Sequence, residues 1–169
     1  DPGGSMIIDI GGGATDVAVI SLGGIVVGDS IRVAGDQCDQ AIVDFIRNEH
    51  NIIIGEKTAE DLKISISEED SDKKVISVKG RNLDNGLPSE ALVSPNDLEK
   101  ALDPVIKKII NSVHKVLNNT PPELAADLFE EGAIMTGGGA LVRHLDKKIE
   151  DSIGIKVTIA ENPISAVVR

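Results

Sequence analysis

Two glycine-rich stretches are the places where this chain could do chemistry. The first is Asp9-Ile10-Gly11-Gly12-Gly13-Ala14-Thr15-Asp16. Consecutive glycines between two apolar runs expose backbone N–H groups with no side chains in the way, and such a nest can wrap a phosphate. Asp9, at the end of the preceding run, can hold a magnesium ion through water, because magnesium keeps much of its hydration shell. Thr15 could add a hydroxyl. An ordinary tight hairpin has the same composition, so the motif alone leaves both readings open. The second stretch is Ile134-Met135-Thr136-Gly137-Gly138-Gly139-Ala140-Leu141. It reads as strand, glycine turn, helix, a form in which a flat ligand can approach the backbone near the positive end of a helix dipole. A plain packing turn is the competing reading. Neither stretch has the G-x-G-x-x-G spacing of a Rossmann turn, and no Gly-Lys-Ser/Thr P-loop is present. Taken together, two strand-ending glycine turns far apart in sequence can converge on one nucleotide, phosphates on the first and adenosine on the second.

Other tempting residues have plainer readings. Cys38 lies on an apolar helical face and reads as a small core residue. His50, His114 and His144 lack ligand-like spacing, so no zinc site is expected. Glu68, Glu69, Asp70 and Asp72 read as a solvated loop without calcium-loop spacing. Lys107, Lys108 and Lys115 read as the wet side of a helix, and Glu60 with Lys63 as a surface pair three residues apart.

The elements that must position the glycine turns follow from periodicity. Residues 6–33 read as an antiparallel meander: Met6–Ile10, then Thr15–Ser21, then a strand from Ile25, with turns at Gly11–Gly13 and Gly23-Gly24. Cys38, Ala41, Ile42, Phe45 and Ile46 share one face of a helix over 36–49. Thr58 and Asp61 suggest a capped short helix. Val75–Val78 and Ala91–Val93 read as strands around an Asn85-Gly86 turn. Ser94-Pro95-Asn96-Asp97 opens a helix whose apolar stripe runs to about residue 117, with a kink or restart expected at Pro104. Thr120-Pro121-Pro122-Glu123 reads as a second capping box and Gly132 as a helix stop. A strand at Ala133–Met135, a helix over Ala140–Ser152, a strand at Ile155–Ile159 and a helix from Asn162-Pro163 complete the chain. The middle is more charged than its flanks, which suggests an insertion over 36–95.

The chain has 169 residues, 41% hydrophobic and 27% charged, with a formal net charge of −11. That balance is globular, and the negative charge argues against binding DNA, RNA or anionic lipid. Only Phe45 and Phe129 are aromatic, so aliphatic residues must build the core. A single cysteine allows no internal disulfide and fits a reducing compartment. Apolar runs fall far short of a membrane span. Both ends read as interior points of a longer chain.

The paired glycine turns resemble those of the actin, Hsp70 and sugar kinase superfamily, and within it the chain is most similar to the bacterial actin-like MreB family. The resemblance is carried by Met6–Gly13, Ile20–Val26, Ser30–Asp36, Ile54–Glu60, Pro121–Ala125 and Thr136–Leu141, which span the whole length. It implies an α/β, ribonuclease H-like actin-type lobe: a mixed sheet with flanking helices over 1–35 and 96–169, carrying a smaller α+β inserted subdomain over 36–95. It implies that Asp9, Gly11, Gly12, Gly13 and Thr15 form the second phosphate loop with its magnesium contact. Glu60 and Lys63 would lie near ribose and adenine, and Gly137, Gly138 and Gly139 would form the adenosine loop. Where the family usually has two threonines after the glycines, this chain has Ala14 and then Thr15.

The resemblance also implies ATP or ADP with Mg2+ as cofactors, self-association into filaments, a membrane-protein partner of RodZ type, and a cytoplasmic location at the inner face of the cell membrane. It implies no direct membrane contact from these residues. The family's first phosphate loop and catalytic glutamate would lie upstream of Asp1, so this stretch alone is expected to carry no catalytic residue and to hydrolyse no ATP. Two other functions share the superfamily. An Hsp70-like chaperone lobe matches Asp9–Gly13 well but Gly55–Glu60 and Thr136–Leu141 less well. A sugar or acetate kinase would need a substrate acid in its cleft and usually aromatic or polar sugar contacts, and this chain has almost no aromatics.

Overall fold

The structure is a computed structural model that describes residues 3–66, 75–138, 142 and 144–160. The sequence-based expectations at Asp1-Pro2, the acidic loop at 67–74, Gly139, the first residues of the helix from Ala140 and the last helix from Asn162 lie outside the described residues. The chain divides into two units: one holds the residues up to Gly35 and those from Ile106 onward, the other is Asp36–Val105.

The first unit is built on a five-stranded mixed sheet. Strands β1 (Ser5–Ile10), β2 (Thr15–Ser21) and β3 (Gly24–Ile31) form the antiparallel meander, and β7 (Ala133–Thr136) and β8 (Val157–Ile159) complete the order β3-β2-β1-β7-β8. β1 runs parallel to β7, with Met6 opposite Ala133 and Asp9 opposite Thr136, and β7 runs parallel to β8. Alternation sorts the faces: Met6, Ile8, Ile10, Thr15, Val17 and Val19 are buried while their neighbours face outward. The β2–β3 hairpin turns at Leu22 and Gly23, both at positive φ, the primed geometry that matches strand twist. Gly24 therefore opens β3 instead of sharing the turn. A bulge at Val26 shifts the register between Val19 and Ile20.

Helices α4 (Pro122–Glu131) and α5 (Leu145–Ile153) pack against β1 and β8 respectively. Gly132, at φ 77, stops α4 with its N–H on Leu128 O. The expected capping box at Thr120 is absent. The Thr120 hydroxyl donates to Val116 O at 2.7 Å, closing the preceding helix, and Pro121 sits at the N-cap with no side-chain bond. A threonine beside a helix end has carbonyls within reach behind it as well as amides ahead.

The second unit holds α1 (Gly35–His50), α2 (Glu56–Ile66) and a three-stranded antiparallel sheet β4 (Ile52–Ile53), β5 (Ile76–Asn82) and β6 (Pro88–Val93), in that order. Asp36 belongs to this unit, and α1 buries Cys38, Ile42 and Ile46 along the expected stripe. The α2 helix begins at Glu56, two residues before the expected cap at Thr58. β4, absent from the periodicity reading, is too short to show alternation.

Helix α3 (Pro95–Asn118) is shared, with Leu98, Leu102 and Val105 in the second unit and Ile109, Val113 and Val116 in the first. The opening turns of α3, through Val105, group with the elements of the second unit. Ser94 caps the helix, its Oγ accepting the Asp97 N–H at 3.1 Å. The helix runs unbroken through Pro104. Proline frees the carbonyl four residues back, that of Lys100, and both residues are exposed, so water can satisfy it while the buried stripe holds the helix on either side.

Candidate functional site

The two glycine turns leave the same end of two adjacent parallel strands. β1 ends at Ile10 and enters Gly11-Gly12-Gly13; β7 ends at Thr136 and enters Gly137-Gly138. From this point the chain departs in opposite directions across the sheet, β1 toward β2 and β7 toward β8. Such a divergence at the carboxyl ends of parallel strands opens a crevice suited to a ligand.

The turns touch. Gly137 has φ +89, and a Cβ there would overlap the Ile10 carbonyl oxygen and stand 2.7 Å from Asp9 Oδ1. Only a residue without a side chain fits so close to the backbone of β1 in that left-handed conformation. At Gly138 an added Cβ would meet nothing within 4 Å, so the second turn presents bare backbone to open space. Gly12, Gly13 and the Asp9 side chain are exposed. The first turn closes with Gly11 N–H on Ala14 O at 3.0 Å, and Gly11 O accepts the N–H of Gly35 at 3.1 Å. Gly35, the last residue of the first unit before Asp36, is thereby fastened to the first turn.

Thr15 is fully buried, and its hydroxyl donates to Val33 O at 2.6 Å. The hydroxyl expected beside a phosphate is used to tie β2 to the segment that leads into α1. Glu60 and Lys63 belong to the other unit, on α2. Glu60 is exposed. The Lys63 ammonium lies 2.8 Å from Asp39 Oδ1 on α1, with both side chains largely covered. Neither the Gly35 N–H bond to Gly11 O nor the Asp39 contact with Lys63 was legible in the sequence, because a helix start after a glycine and an acid near it are common surface features.

The donor set suits the group that the sequence implies. An exposed carboxylate beside bare backbone N–H groups can hold a hydrated divalent cation next to an anion. No cluster of three or more metal-binding side chains exists among the described residues. Among the described residues, no helix is long and apolar enough to cross a membrane.

The sequence profile of the family described as MreB/Mbl protein matches residues 1–169. The chain belongs to the MreB/Mbl family. It is 44% identical over 168 residues to the cell shape-determining protein Mbl of Bacillus subtilis, covering 98% of this chain and 50% of that protein. Identity to the cell shape-determining protein MreB of Escherichia coli is also 44%, over 98% of this chain and 48% of that one. The crystal structure of MreB5 of Spiroplasma citri bound to ADP superposes with a TM-score of 0.93 at 43% identity, covering 99% of this chain and 51% of MreB5. The same protein bound to AMPPNP gives a TM-score of 0.92. The chain therefore spans about half the length of the MreB/Mbl relatives it matches, and its mixed α/β architecture is that of the actin-like fold.

Proposed function

We propose that this chain is the lobe of an ATP-binding, polymerising MreB/Mbl cell-shape protein that supplies the second phosphate loop and the adenosine loop. The observation that carries this reading is the contact of Gly137 with Asp9 and Ile10, which brings the two glycine turns to one edge of the sheet. In this reading Gly11, Gly12 and Gly13 present N–H groups to the nucleotide phosphates, and Asp9 holds Mg2+ through water. Thr15 secures the loop from beneath. Gly137 and Gly138 form the surface under the adenosine, with Gly139 assigned to the same loop by the family resemblance. Glu60 and Lys63 take the ribose and adenine side, an assignment supported by the family resemblance. A bound Mg2+ would neutralise phosphate charge.

The whole protein would form filaments at the inner face of the cell membrane, with a RodZ-type membrane protein as partner. The kinase and chaperone alternatives lose ground because MreB/Mbl similarity runs the length of the chain. The test is sedimentation of the natural full-length protein with and without ATP and Mg2+. Pelleting that requires ATP supports the reading; a protein that binds ATP yet stays soluble at all concentrations contradicts the filament part of it.

A further inference from the structure

Asn85-Gly86 is the only asparagine–glycine step in the chain. Asparagine is thermolabile, because its side-chain amide can be attacked by the backbone nitrogen of the next residue. Glycine leaves that nitrogen with no neighbouring Cβ to shield it. Both residues are exposed, at the tip of the β5–β6 hairpin in the second unit. Gly86 has φ +73, and a Cβ there would come no closer than 3.9 Å to another group. Two hydrogen bonds hold the pair. Asn85 Oδ1 accepts the Leu87 N–H at 2.9 Å, which folds the side chain back over Gly86. The Gly86 N–H donates to Asn82 O at 3.0 Å. The tip is in turn fastened to the corner after α1. The Leu83 N–H donates to Asn51 O at 2.9 Å, and Asn51 Nδ2 donates to Asp84 Oδ2 at 2.7 Å.

We propose that Asn85 is a site of spontaneous deamidation and that the hydrogen bonds of the hairpin tip set its rate. The Gly86 nitrogen gives its proton to hydroxide and attacks Asn85 Cγ; ammonia leaves and a cyclic imide forms. Water then opens the imide at either carbonyl, giving aspartate or isoaspartate, so the step needs no oxidant and no cofactor. The two bonds act in opposite senses. The Leu87 N–H polarises the carbonyl that takes up negative charge. The Gly86 proton cannot leave without giving up Asn82 O. The first effect is small at an exposed tip, where water polarises the carbonyl as well, whereas the second bond must break in every event. Folding therefore slows the reaction, which runs from chains whose tip is locally open. The product undoes the turn. Isoaspartate adds a carbon to the main chain and removes the side-chain acceptor of the Leu87 N–H, and either acid sets a new carboxylate beside Asp84.

The experiment incubates the natural full-length protein at mildly alkaline pH and follows aspartate and isoaspartate at each asparagine by peptide mapping, beside the same chain unfolded in urea. Asn51→Gly removes the side-chain bond to Asp84 and keeps a residue suited to the φ of 58 at that corner. Ser112→Ala, in the first unit, serves as a destabilised control. Asn85 is expected to convert ahead of every other asparagine in both states, about fivefold to tenfold more slowly folded than unfolded, the size of one hydrogen bond. Folded Asn51→Gly should convert about twofold to fivefold faster than the folded parent, and at the parent's rate once unfolded. Folded Ser112→Ala should match the parent. If other asparagines convert and Asn85 does not, Asn85 is not the site and the proposal fails. If Asn85 converts equally fast folded and unfolded, or Asn51→Gly leaves the folded rate unchanged, the tip does not control the reaction. If Ser112→Ala speeds conversion as much as Asn51→Gly does, global unfolding exposes the site and local control by the hairpin is overturned.

Discussion

Gly137 and Gly138 are neighbours of one type with opposite reasons for being glycine. At Gly137 any side chain meets the Ile10 carbonyl and the Asp9 carboxylate, and its φ of +89 already disfavours one. Gly137→Ala should lower unfolding free energy by about 2 kcal/mol or more, from left-handed strain plus the clash, read as a shift in urea midpoint. Gly138→Ala meets open space, so its midpoint should stay within about 0.5 kcal/mol of the parent, as surface substitutions usually do. Under the proposed function it would still weaken ADP binding, because the new methyl occupies the ligand's side of the turn. Thr15 makes a related point. Thr15→Val keeps the shape but orphans Val33 O, and should cost about 1–2 kcal/mol in the same assay. The composition of the first motif marked Thr15 as notable. It carried no sign that the hydroxyl turns inward, since that depends on where Val33 returns after the β3 strand.

Cys38 behaves as the apolar stripe suggests, being 3% exposed. Burial pushes its thiol up to about 11 from the ordinary 9.0, with the Lys63 charge opposing and the Asp39 charge reinforcing the shift. A folded value raised above the unfolded one means that the folded chain keeps a proton the unfolded chain releases. The associated stability is therefore complete below pH 9.0 and is lost as pH rises toward 11. The loss should reach about 2–3 kcal/mol. Urea midpoints at pH 8.5 and 10.5 should fall less in Cys38→Ala than in the parent.

At the scale of elements, a polar cluster ties β3, the outer strand of the sheet, to α3. Asp29 on β3 accepts the Ser112 hydroxyl at 2.8 Å and faces the Lys115 ammonium at 3.3 Å, both from α3. The Ser112 hydrogen bond, helped by Lys115, holds the Asp29 carboxyl below its ordinary 3.8 against the opposing effect of desolvation. The sign is the reverse of Cys38: the contribution is present above 3.8 and disappears as pH falls through the lowered folded value. Asp29→Asn should flatten the decline in urea midpoint between pH 5 and 3, and Ser112→Ala should do so in part. Long periodic elements such as α1 and α3 were readable because a buried face repeats over many turns. Elements fixed by distant partners were not: β4 exists only because β5 runs beside it. Gly80 shows why, since a Cβ there would overlap the Ile53 carbonyl and stand 2.6 Å from Ile52 Cγ2. Pro104 and Thr120 misled for the same reason, as local rules describe the neighbouring residues and not the burial that overrides them.

At the scale of the whole molecule, the decisive relation was the meeting of two glycine turns separated by most of the chain. Each turn was visible as a motif, and the parallel pairing of β1 with β7 that joins them is a consequence of topology. That pairing brings backbone donors and an exposed carboxylate to one edge of the sheet. Phosphoryl transfer to water needs more: the terminal phosphate must be enclosed by opposing charge, and a group must orient the attacking water. Under the proposed function the chain supplies the second phosphate loop and the adenosine loop, and it matches about half of each relative. The 169-residue chain is therefore expected to bind ADP and ATP weakly and to release no phosphate from ATP beyond the buffer rate, with or without Mg2+. Binding should be lost in Gly138→Ala, which ties the weak affinity to the glycine turns and not to a contaminant. Magnesium-dependent turnover by the pure chain would mean that the water-orienting group lies within these residues, and the division of labour argued here would be wrong.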